Sequence, residues 1–264
     1  LDAFSAYAVV PVSFVAAKPE SMSFEEAATT PIAFLTAYYA LRCQGRLAQG
    51  ERALIHAAAG GVGLAAVQIC QKVGAEIYAT AGSPEKRDFL RSLGVKHVFD
   101  SRSLSFGAEV MKLTNGAGVD VVLNSLAGEA IQTSLELLRE GGRFLEIGKQ
   151  DIYQNTQLGL LPFRRNLSFS AIHLDAVLRH RPELFRELTR SFEDGSFAPL
   201  PVSVFPISES VAAFRHMAQA RHIGKIALSL RDANIRVAPS EERRKIARAD
   251  ATYLITGGLG ALGL

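Results

Sequence analysis

A doubly wound α/β fold with a parallel six-stranded sheet is the class this sequence predicts. Three observations predict it. Strand-like and helix-like patterns alternate from Ala53 to about His173, the strand-like runs are apolar almost throughout, and a glycine-rich turn separates the first run from the first helical pattern. A strand covered by helices on both faces keeps no polar side, so it reads as a continuous apolar run. Repeated strand–helix alternation then builds a parallel sheet.

The strand candidates are Ala53–Ala57, Glu76–Ala81, His97–Asp100, Val119–Leu126, Arg143–Gly148 and Leu167–His173. Helical patterns occupy Val62–Val73, Pro84–Leu93, Glu129–Arg139 and Pro182–Asp194. Ahead of them stand short β-like pieces, Ala6–Pro11 and Phe14–Ala17, and a helix start at Ser23-Phe24-Glu25-Glu26. Ser23 suits an N-cap, and the glutamates favour the positive end of that helix. Thr36 precedes a Tyr-rich helical stretch. Behind the alternation come a strand at Val202–Phe205, a helix at Glu209–Ala220 and a strand at Ile226–Leu230. Neither flank makes a core alone; together they read as the remnant of a second, mostly β domain. Residues 231–250 are polar, mixed in charge and without apolar period, as in a linker.

A second glycine-rich turn, Gly258-Leu259-Gly260-Ala261-Leu262-Gly263, follows the apolar run Tyr253-Leu254-Ile255-Thr256, and the sequence stops one residue later. The first residues, Leu1-Asp2-Ala3-Phe4, show neither an initiator Met nor the order of a signal peptide. The expectation is a slice of a longer multidomain enzyme, with one nucleotide-binding unit nearly whole and the next barely begun.

Composition narrows the class. The 264 residues are 48% hydrophobic and 21% charged, ordinary for a globular protein. A net charge of +3 gives no ground for a nucleic-acid or membrane partner. No apolar stretch approaches the roughly 20 residues of a membrane helix. Cys43 and Cys70 are too few and too far apart for a disulfide framework or a four-thiolate zinc lobe, and both read as small core residues. A reducing, cytoplasmic setting fits.

The first glycine turn, Ala58-Ala59-Gly60-Gly61-Val62-Gly63, has the form A-x-G-x-x-G. Gly60 allows a pyrophosphate to approach the backbone and Gly63 allows close helix–strand packing, while Ala58 replaces the usual tight-turn glycine. The helix N-terminus behind it offers free N–H groups and partial positive charge to phosphates. The site therefore predicts a dinucleotide. An NAD-selective site places a carboxylate at the tip of the second strand. Here that tip reads Ala79-Thr80-Ala81-Gly82-Ser83-Pro84-Glu85-Lys86, without an acid at the strand end. Ser83 suits an N-cap and Pro84 the first helical position. Lys86 in the first turn opposes the helix dipole by about 0.3–1 kcal/mol, a penalty that a 2′-phosphate reverses. Arg102, past the third strand, could reach the same place; the competing reading is a solvated basic first turn. NADPH is the expected cofactor.

At this point the motifs resemble a known family. Phe34-Leu35-Thr36-Ala37-Tyr38-Tyr39-Ala40-Leu41, Ala57 to Gly63, Ala79 to Ser83, Leu123-Asn124-Ser125-Leu126 and His222-Ile223-Gly224-Lys225, in that order, resemble the zinc-free medium-chain dehydrogenases/reductases. Among these they are similar to the enoyl reductase domains of polyketide and fatty acid synthases, from about Phe4 to Leu230. Leu254 to Gly263 looks like the opening of a ketoreductase domain, which in reducing synthases follows the enoyl reductase.

The resemblance implies a Rossmann-type nucleotide domain over residues 36–200. A truncated GroES-like β substrate domain would be split between residues 1–35 and 201–230, with the linker at 231–250 and the ketoreductase start at 251–264. With part of the acyl pocket missing, NADPH binding by residues 1–264 alone is expected to survive better than turnover. It implies hydride transfer from NADPH to the β-carbon of an α,β-unsaturated acyl thioester, held on the phosphopantetheine arm of an acyl carrier protein, with protonation at the α-carbon. Other synthase domains in the same polypeptide would be partners, and the parent is allowed to be a homodimer.

Two positions match those the family proposes for the proton step. Lys149 follows the fifth strand and Asp175 the sixth, at the sheet edge where ligands bind in open α/β folds. Lys149 could also be a solvated loop cation, and Asp175 a helix cap. His173 is a further candidate acid, although a histidine at a strand end is more commonly packed or hydrogen-bonded. The expected cofactor-binding set is Thr36, Ala59, Gly60, Gly61, Val62, Gly63, Ser83, Lys86, Arg102, Asn124 and Lys225. Of these, Thr36, Asn124 and Lys225 match family positions near the nicotinamide or its ribose, and Asn124, at the end of the fourth strand, is expected to face the same crevice as Lys149. His56, inside the first strand, is expected to be buried. No metal is expected, because the family's zinc-binding cysteine is absent around Thr36. Two other readings compete: a stand-alone quinone or alkenal reductase, which the ketoreductase-like tail opposes, and a non-catalytic scaffold domain of a megasynthase.

Overall fold

The computed structural model of the chain describes residues 9–232. The second glycine turn, nearly all of the linker and the residues before Val9 lie outside the described residues. Within them, α1 (Phe24–Tyr38) leads into a π-helical turn, Tyr39–Gln44. Next come β1 (Arg52–Ile55), α2 (Gly61–Val73), β2 (Glu76–Ala81), α3 (Pro84–Ser92), β3 (His97–Asp100), α4 (Ser105–Leu113), β4 (Val119–Asn124), α5 (Glu129–Leu137) and β5 (Leu138–Glu146). They are followed by α6 (Gln150–Tyr153), β6 (Ser168–Ala171), α7 (Leu174–His180), α8 (Glu183–Glu193), β7 (Val202–Pro206), α9 (Ser210–Ala218) and β8 (Lys225–Ser229).

β1 to β6 form one parallel sheet in the order β3-β2-β1-β4-β5-β6. The order reverses between β1 and β4, and ligands of open α/β sheets bind at such a switch point, beyond the carboxyl ends of the strands. Alternate side chains feed two cores. Ala53, Ile55, Ile77, Val121 and Leu123 pack with α1, α2 and α8, while Leu54, Tyr78, Val122 and Phe144 pack with α4 and α5. Each fully buried residue of this size contributes about 1.5–3 kcal/mol. Phe34 of α1 meets Phe192 edge-on at 4.9 Å and Phe197 at 5.1 Å, which fixes α1 to α8 and the chain beyond it.

The N-terminus of α1 is set by a complete capping box. Ser23 N–H donates to Glu26 Oε2 at 2.8 Å, and Glu26 N–H donates to Ser23 Oγ at 3.1 Å. β7, α9 and β8 form a βαβ unit, so its two strands are parallel, and α1 packs against both. The expected boundary between residues 35 and 36 therefore falls inside α1, whose buried face belongs to the same core as α2 and α8.

Some expectations need correction. The β-like piece at Phe14–Ala17 forms no strand: Val12–Phe14 is a 3-10 turn and the following residues pair with no described strand. Pro11 and Pro19 bracket the stretch and lack N–H donors for a ladder. Thr36 does not precede a helix but lies within α1. The helix expected to reach Arg139 stops at Leu137, because β5 begins at Leu138 and runs through Gly141-Gly142 with an irregular register before Arg143 pairs with Val121. The helices α4 and α6 appear where no element was expected, and α7 begins with His173 rather than Asp175 at its N-cap.

Candidate active site

The glycine turn is strapped to the tip of β2. Ala57 N–H donates to Thr80 Oγ1 at 3.3 Å and Ala58 N–H to Thr80 O at 2.9 Å. Ala57 itself takes φ +49, the strained left-handed region. A Cβ on Gly63 would lie 2.5 Å from Ala58 Cα, so only glycine lets α2 start this close to β1. Gly60 is the N-cap of α2, and no side chain caps that end, which leaves first-turn N–H groups pointing into the crevice.

A second strap comes from the far end of the chain. Gly224 N–H donates to Ala59 O at 2.9 Å, and Gly224 bridges to Gly60. Gly224 has φ +74, and a Cβ there would lie 2.1 Å from Pro201 O. Lys225, the first residue of β8, lays its stem across the turn, where a Cβ on Gly61 would be 2.3 Å from Lys225 Cδ.

On the β2–β3 side, Ser83 caps α3, accepting from Lys86 N–H at 3.4 Å. Lys86 Nζ donates to Ala220 O at 2.6 Å, tying α3 to the loop before β8. Burial and then the nearby Arg102 guanidinium hold the Lys86 ammonium below its ordinary pKa. Arg102 Nε lies 3.3 Å from where a Cβ on Gly82 would be, so both cations border the β2–α3 turn. The tip of β2 is Thr80-Ala81, and the acid at the tip of β3, Asp100, pairs with Arg87 at 3.4 Å and accepts from Arg102 N–H at 2.9 Å.

His222 joins this cationic group, although sequence reasoning gave it no role beyond its place in the His222-Ile223-Gly224-Lys225 run. Its Nδ1 is buried without a hydrogen-bond partner. Burial, then Lys86, His216 and Lys225, hold its pKa down. Only folding brings residue 222 beside residue 86.

On the β5–β6 side a cavity of about 340 Å³ opens at the carboxyl edge of the sheet. Thr36, Val62, Lys149, Tyr153, His173 and Asp175 are among its lining residues. Lys149 Nζ donates to Ile172 O at 2.8 Å and lies 3.4 Å from His173 Nδ1. Asp175 sits in the first turn of α7 and makes no capping bond; the N-cap position is His173, also without a side-chain cap. Thr36 Oγ1 donates to Ile32 O at 2.6 Å within α1. Tyr153, which the sequence did not single out, is 74% exposed at the mouth. A larger cavity of about 700 Å³, lined by Arg42, Arg46 and Lys72 among others, lies at the opposite, amino edge of the sheet, away from all of these residues.

Asn124, expected to face the crevice, instead stands apart from the cavity because Glu146 draws its carboxamide inward. It is fully buried at the tip of β4, and its Nδ2 donates to Glu146 Oε2 at 2.6 Å and to Leu126 O at 2.7 Å. Its carboxamide thus faces protein on each of these sides. Glu146 is the missed partner: burial pushes its carboxyl up to about 7. A lone glutamate at the end of an apolar run gives no sequence signal of its own. His56, buried as expected, bridges Thr80 Oγ1 at 3.0 Å and Ser134 Oγ at 2.8 Å, and burial depresses its pKa to about 3, so it stays neutral. Cys70 is buried and Cys43 half-buried. Among the described residues, no three His, Cys, Asp or Glu side chains gather to hold a metal ion, and no helix is long and apolar enough to cross a membrane.

The zinc-binding dehydrogenase family matches residues 61–194. A phenolphthiocerol/phthiocerol polyketide synthase of Mycobacterium tuberculosis is 46% identical over 250 residues, covering 93% of this chain and 11% of the relative. Among solved structures, the CurK enoyl reductase is 47% identical with a TM-score of 0.74, over 83% of this chain and 67% of that one. The nucleotide-binding subdomain of the enoylreductase domain of PpsC from Mycobacterium tuberculosis is 50% identical with a TM-score of 0.61, over 65% of this chain and 98% of that one. The chain belongs to the enoyl reductase domains of polyketide synthases.

It spans about a tenth of the length of the curated relatives it matches. In this enoyl reductase domain the glycine turn divides the crevice in two. Ser83, Lys86, Arg102 and His222 border one side, and Thr36, Lys149 and Asp175 the other.

Proposed function

We propose that the domain reduces the α,β double bond of an acyl thioester carried on the phosphopantetheine arm of an acyl carrier protein, with NADPH as its cofactor. The convergence of Thr36, Lys149 and Asp175 on one cavity beside Val62 of the glycine turn supports this reading most directly. The residues present fit the cofactor. The uncapped N-terminus of α2 suits its pyrophosphate, while Lys86, Arg102 and the orphaned Nδ1 of His222 suit a 2′-phosphate. When bound, the dinucleotide supplies a hydride for the β-carbon.

The chain's own residues do the rest. Val62 and Ile147 line the cavity with apolar surface for the reacting carbons. Lys149, fixed by the Ile172 carbonyl, presents N–H donors toward the thioester oxygen and a proton for the α-carbon. Asp175 shares the cavity. Residues 251–264, outside the described region, extend the proposal to a following ketoreductase domain in the same polypeptide.

The test is NADPH oxidation by the full-length parent with a crotonyl thioester of a carrier protein or of pantetheine. The reading requires turnover with the thioester, slower turnover with NADH, and little with a simple quinone. Equal rates with quinone and thioester would overturn it.

A further inference from the structure

We propose that Glu146 is a positioning residue for the reduction: its ionised carboxylate, accepting hydrogen bonds from Asn124 Nδ2 and from the Gly148 N–H, clamps the tips of β4 and β5 and sets the turn from which Lys149 reaches the cavity. The proposal rests on the enoyl reductase reading for the reaction it serves.

The geometry of the clamp is specific. Glu146 is the last residue of β5 and only 3% exposed. Its Oε2 accepts from Asn124 Nδ2 at 2.6 Å, and its Oε1 accepts from Gly148 N–H at 2.5 Å. Both bonds are short, as expected when a carboxylate accepts. A Cβ on Gly148 would lie 2.7 Å from Oε1, so the close approach needs a glycine there. The backbone continues the clamp: Ile147 N–H donates to Asn124 O at 2.9 Å, and Ile172 N–H donates to Glu146 O at 2.8 Å. The carbonyl of that same Ile172 holds Lys149 Nζ at 2.8 Å. An unbroken set of bonds thus runs from the buried carboxylate to the ammonium in the cavity.

An acid is an expensive way to make such a clamp. Burying a carboxylate without a salt-bridge partner opposes folding, and the group answers by shifting its pKa. None of the described ion pairs includes Glu146. A glutamine would fill the same volume without the charge, yet would set its own N–H₂ against one of two donors. Only an ionised carboxylate accepts fully on both sides.

The clamp is therefore pH-dependent. Protonation turns one acceptor oxygen into a hydroxyl facing a donor, and one bond is lost. The charged groups that act on Glu146 are Asp151, which opposes ionisation, and Lys149, which favours it, while His173 touches Lys149 from the β6–α7 side. Burial is the dominant influence and carries the carboxyl up to about 7. Below that pH the protonated form dominates, so the turn carrying Lys149 loosens and turnover falls as pH drops.

Two measurements test this. In the unsubstituted protein, the Gly148 amide proton followed by NMR from about pH 5.5 to about 8.5 should titrate with a midpoint near 7. In E146Q it should be flat. E146Q should lower kcat roughly tenfold or more, keep KM for NADPH within about twofold, and lose the acid limb of the kcat profile. A Gly148 amide that does not titrate overturns the proposal, as does an E146Q enzyme with unchanged kcat and the same acid limb. If E146Q does not fold, the amide titration of the unsubstituted protein decides alone, a flat line refuting the clamp and a midpoint near 7 supporting it. If the protein reduces no enoyl thioester while the amide titrates, the reading of the reaction falls and the clamp stands.

Discussion

The two halves of the crevice place charge by opposite means. On the β2–β3 side basic groups gather: Arg102 opposes the charge on Lys86, and Lys86, His216 and Lys225 oppose a charge on His222. The Lys86–Ala220 bond holds α3 to the loop that carries His222. On the β5–β6 side a single carboxylate is buried under the sheet tip, and one ammonium is presented to a cavity. Repulsion among gathered cations is relieved by an anionic ligand, which in the proposed reading suits the first half to binding. The second half fixes a donor against strand ends, which in the same reading suits it to the reaction. One glycine turn serves both. Binding and turnover should therefore be separable by mutation.

The sharpest break is expected at Lys149. Lys149→Ala should lower kcat for enoyl thioester reduction by roughly 10²-fold or more, the usual contribution of a positioned acid, with NADPH affinity within about twofold. Stopped-flow kinetics and fluorescence titration measure the two quantities. A matching loss of affinity would merge the halves.

Next comes the reverse experiment. Lys86→Glu should weaken NADPH binding by roughly 10- to 100-fold, in line with loss of a charge-assisted bond and added repulsion, while NADH binding changes little. Lys149-dependent chemistry at saturating NADPH should survive. Equal losses for both dinucleotides would remove the 2′-phosphate from the argument.

Gly224→Ala tests the strap between the halves. Its φ of +74 and the 2.1 Å approach of a Cβ to Pro201 O force the β7–β8 unit to shift. We expect a loss of about 1–3 kcal/mol in urea unfolding, the cost of a strained backbone position, and weaker NADPH binding. An unchanged unfolding midpoint would show that the loop before β8 is docked by other contacts.

The smallest effect concerns His222. Its pKa is held below the ordinary histidine value by burial and by Lys86, His216 and Lys225. A bound phosphate favours the charged form and raises that pKa. Binding NADPH should then take up a fraction of a proton near neutral pH, and affinity should rise as pH falls. Titration calorimetry in two buffers of different ionisation enthalpy reads the uptake, and His222→Gln should abolish it.

Much of this was legible in the residues themselves. The run Glu76–Ala81 is buried on both sides of its pleat from Ile77 onward and forms the strand as bounded, and Ser23 caps α1 as expected, with Glu26 completing a capping box that was not foreseen. The glycine turn stands between β1 and α2, and Lys149 and Asp175 share one cavity. Features whose signals are not local were missed. α4 begins without a side-chain cap, and the start of β5 runs through a glycine pair that looks like a turn, so only its part from Arg143 was foreseen. Phe14–Ala17 has apolar residues suited to a strand and no partner among the described strands.

The amino-acid sequence by itself determined the order of the six sheet strands, the helices α2, α3, α5 and α8, the glycine-rich turn and the cations beyond β2, because each depends on residues within one or two turns of chain. Tertiary structure alone decided that His222 lies beside Lys86, that Gly224 grips Ala59, and that Glu146 is buried between Asn124 and Gly148 with its carboxyl carried up to about 7. Burial and electrostatic coupling are properties of three-dimensional neighbourhoods. Residues distant in the chain acquire them only when the sheet brings its strand tips together.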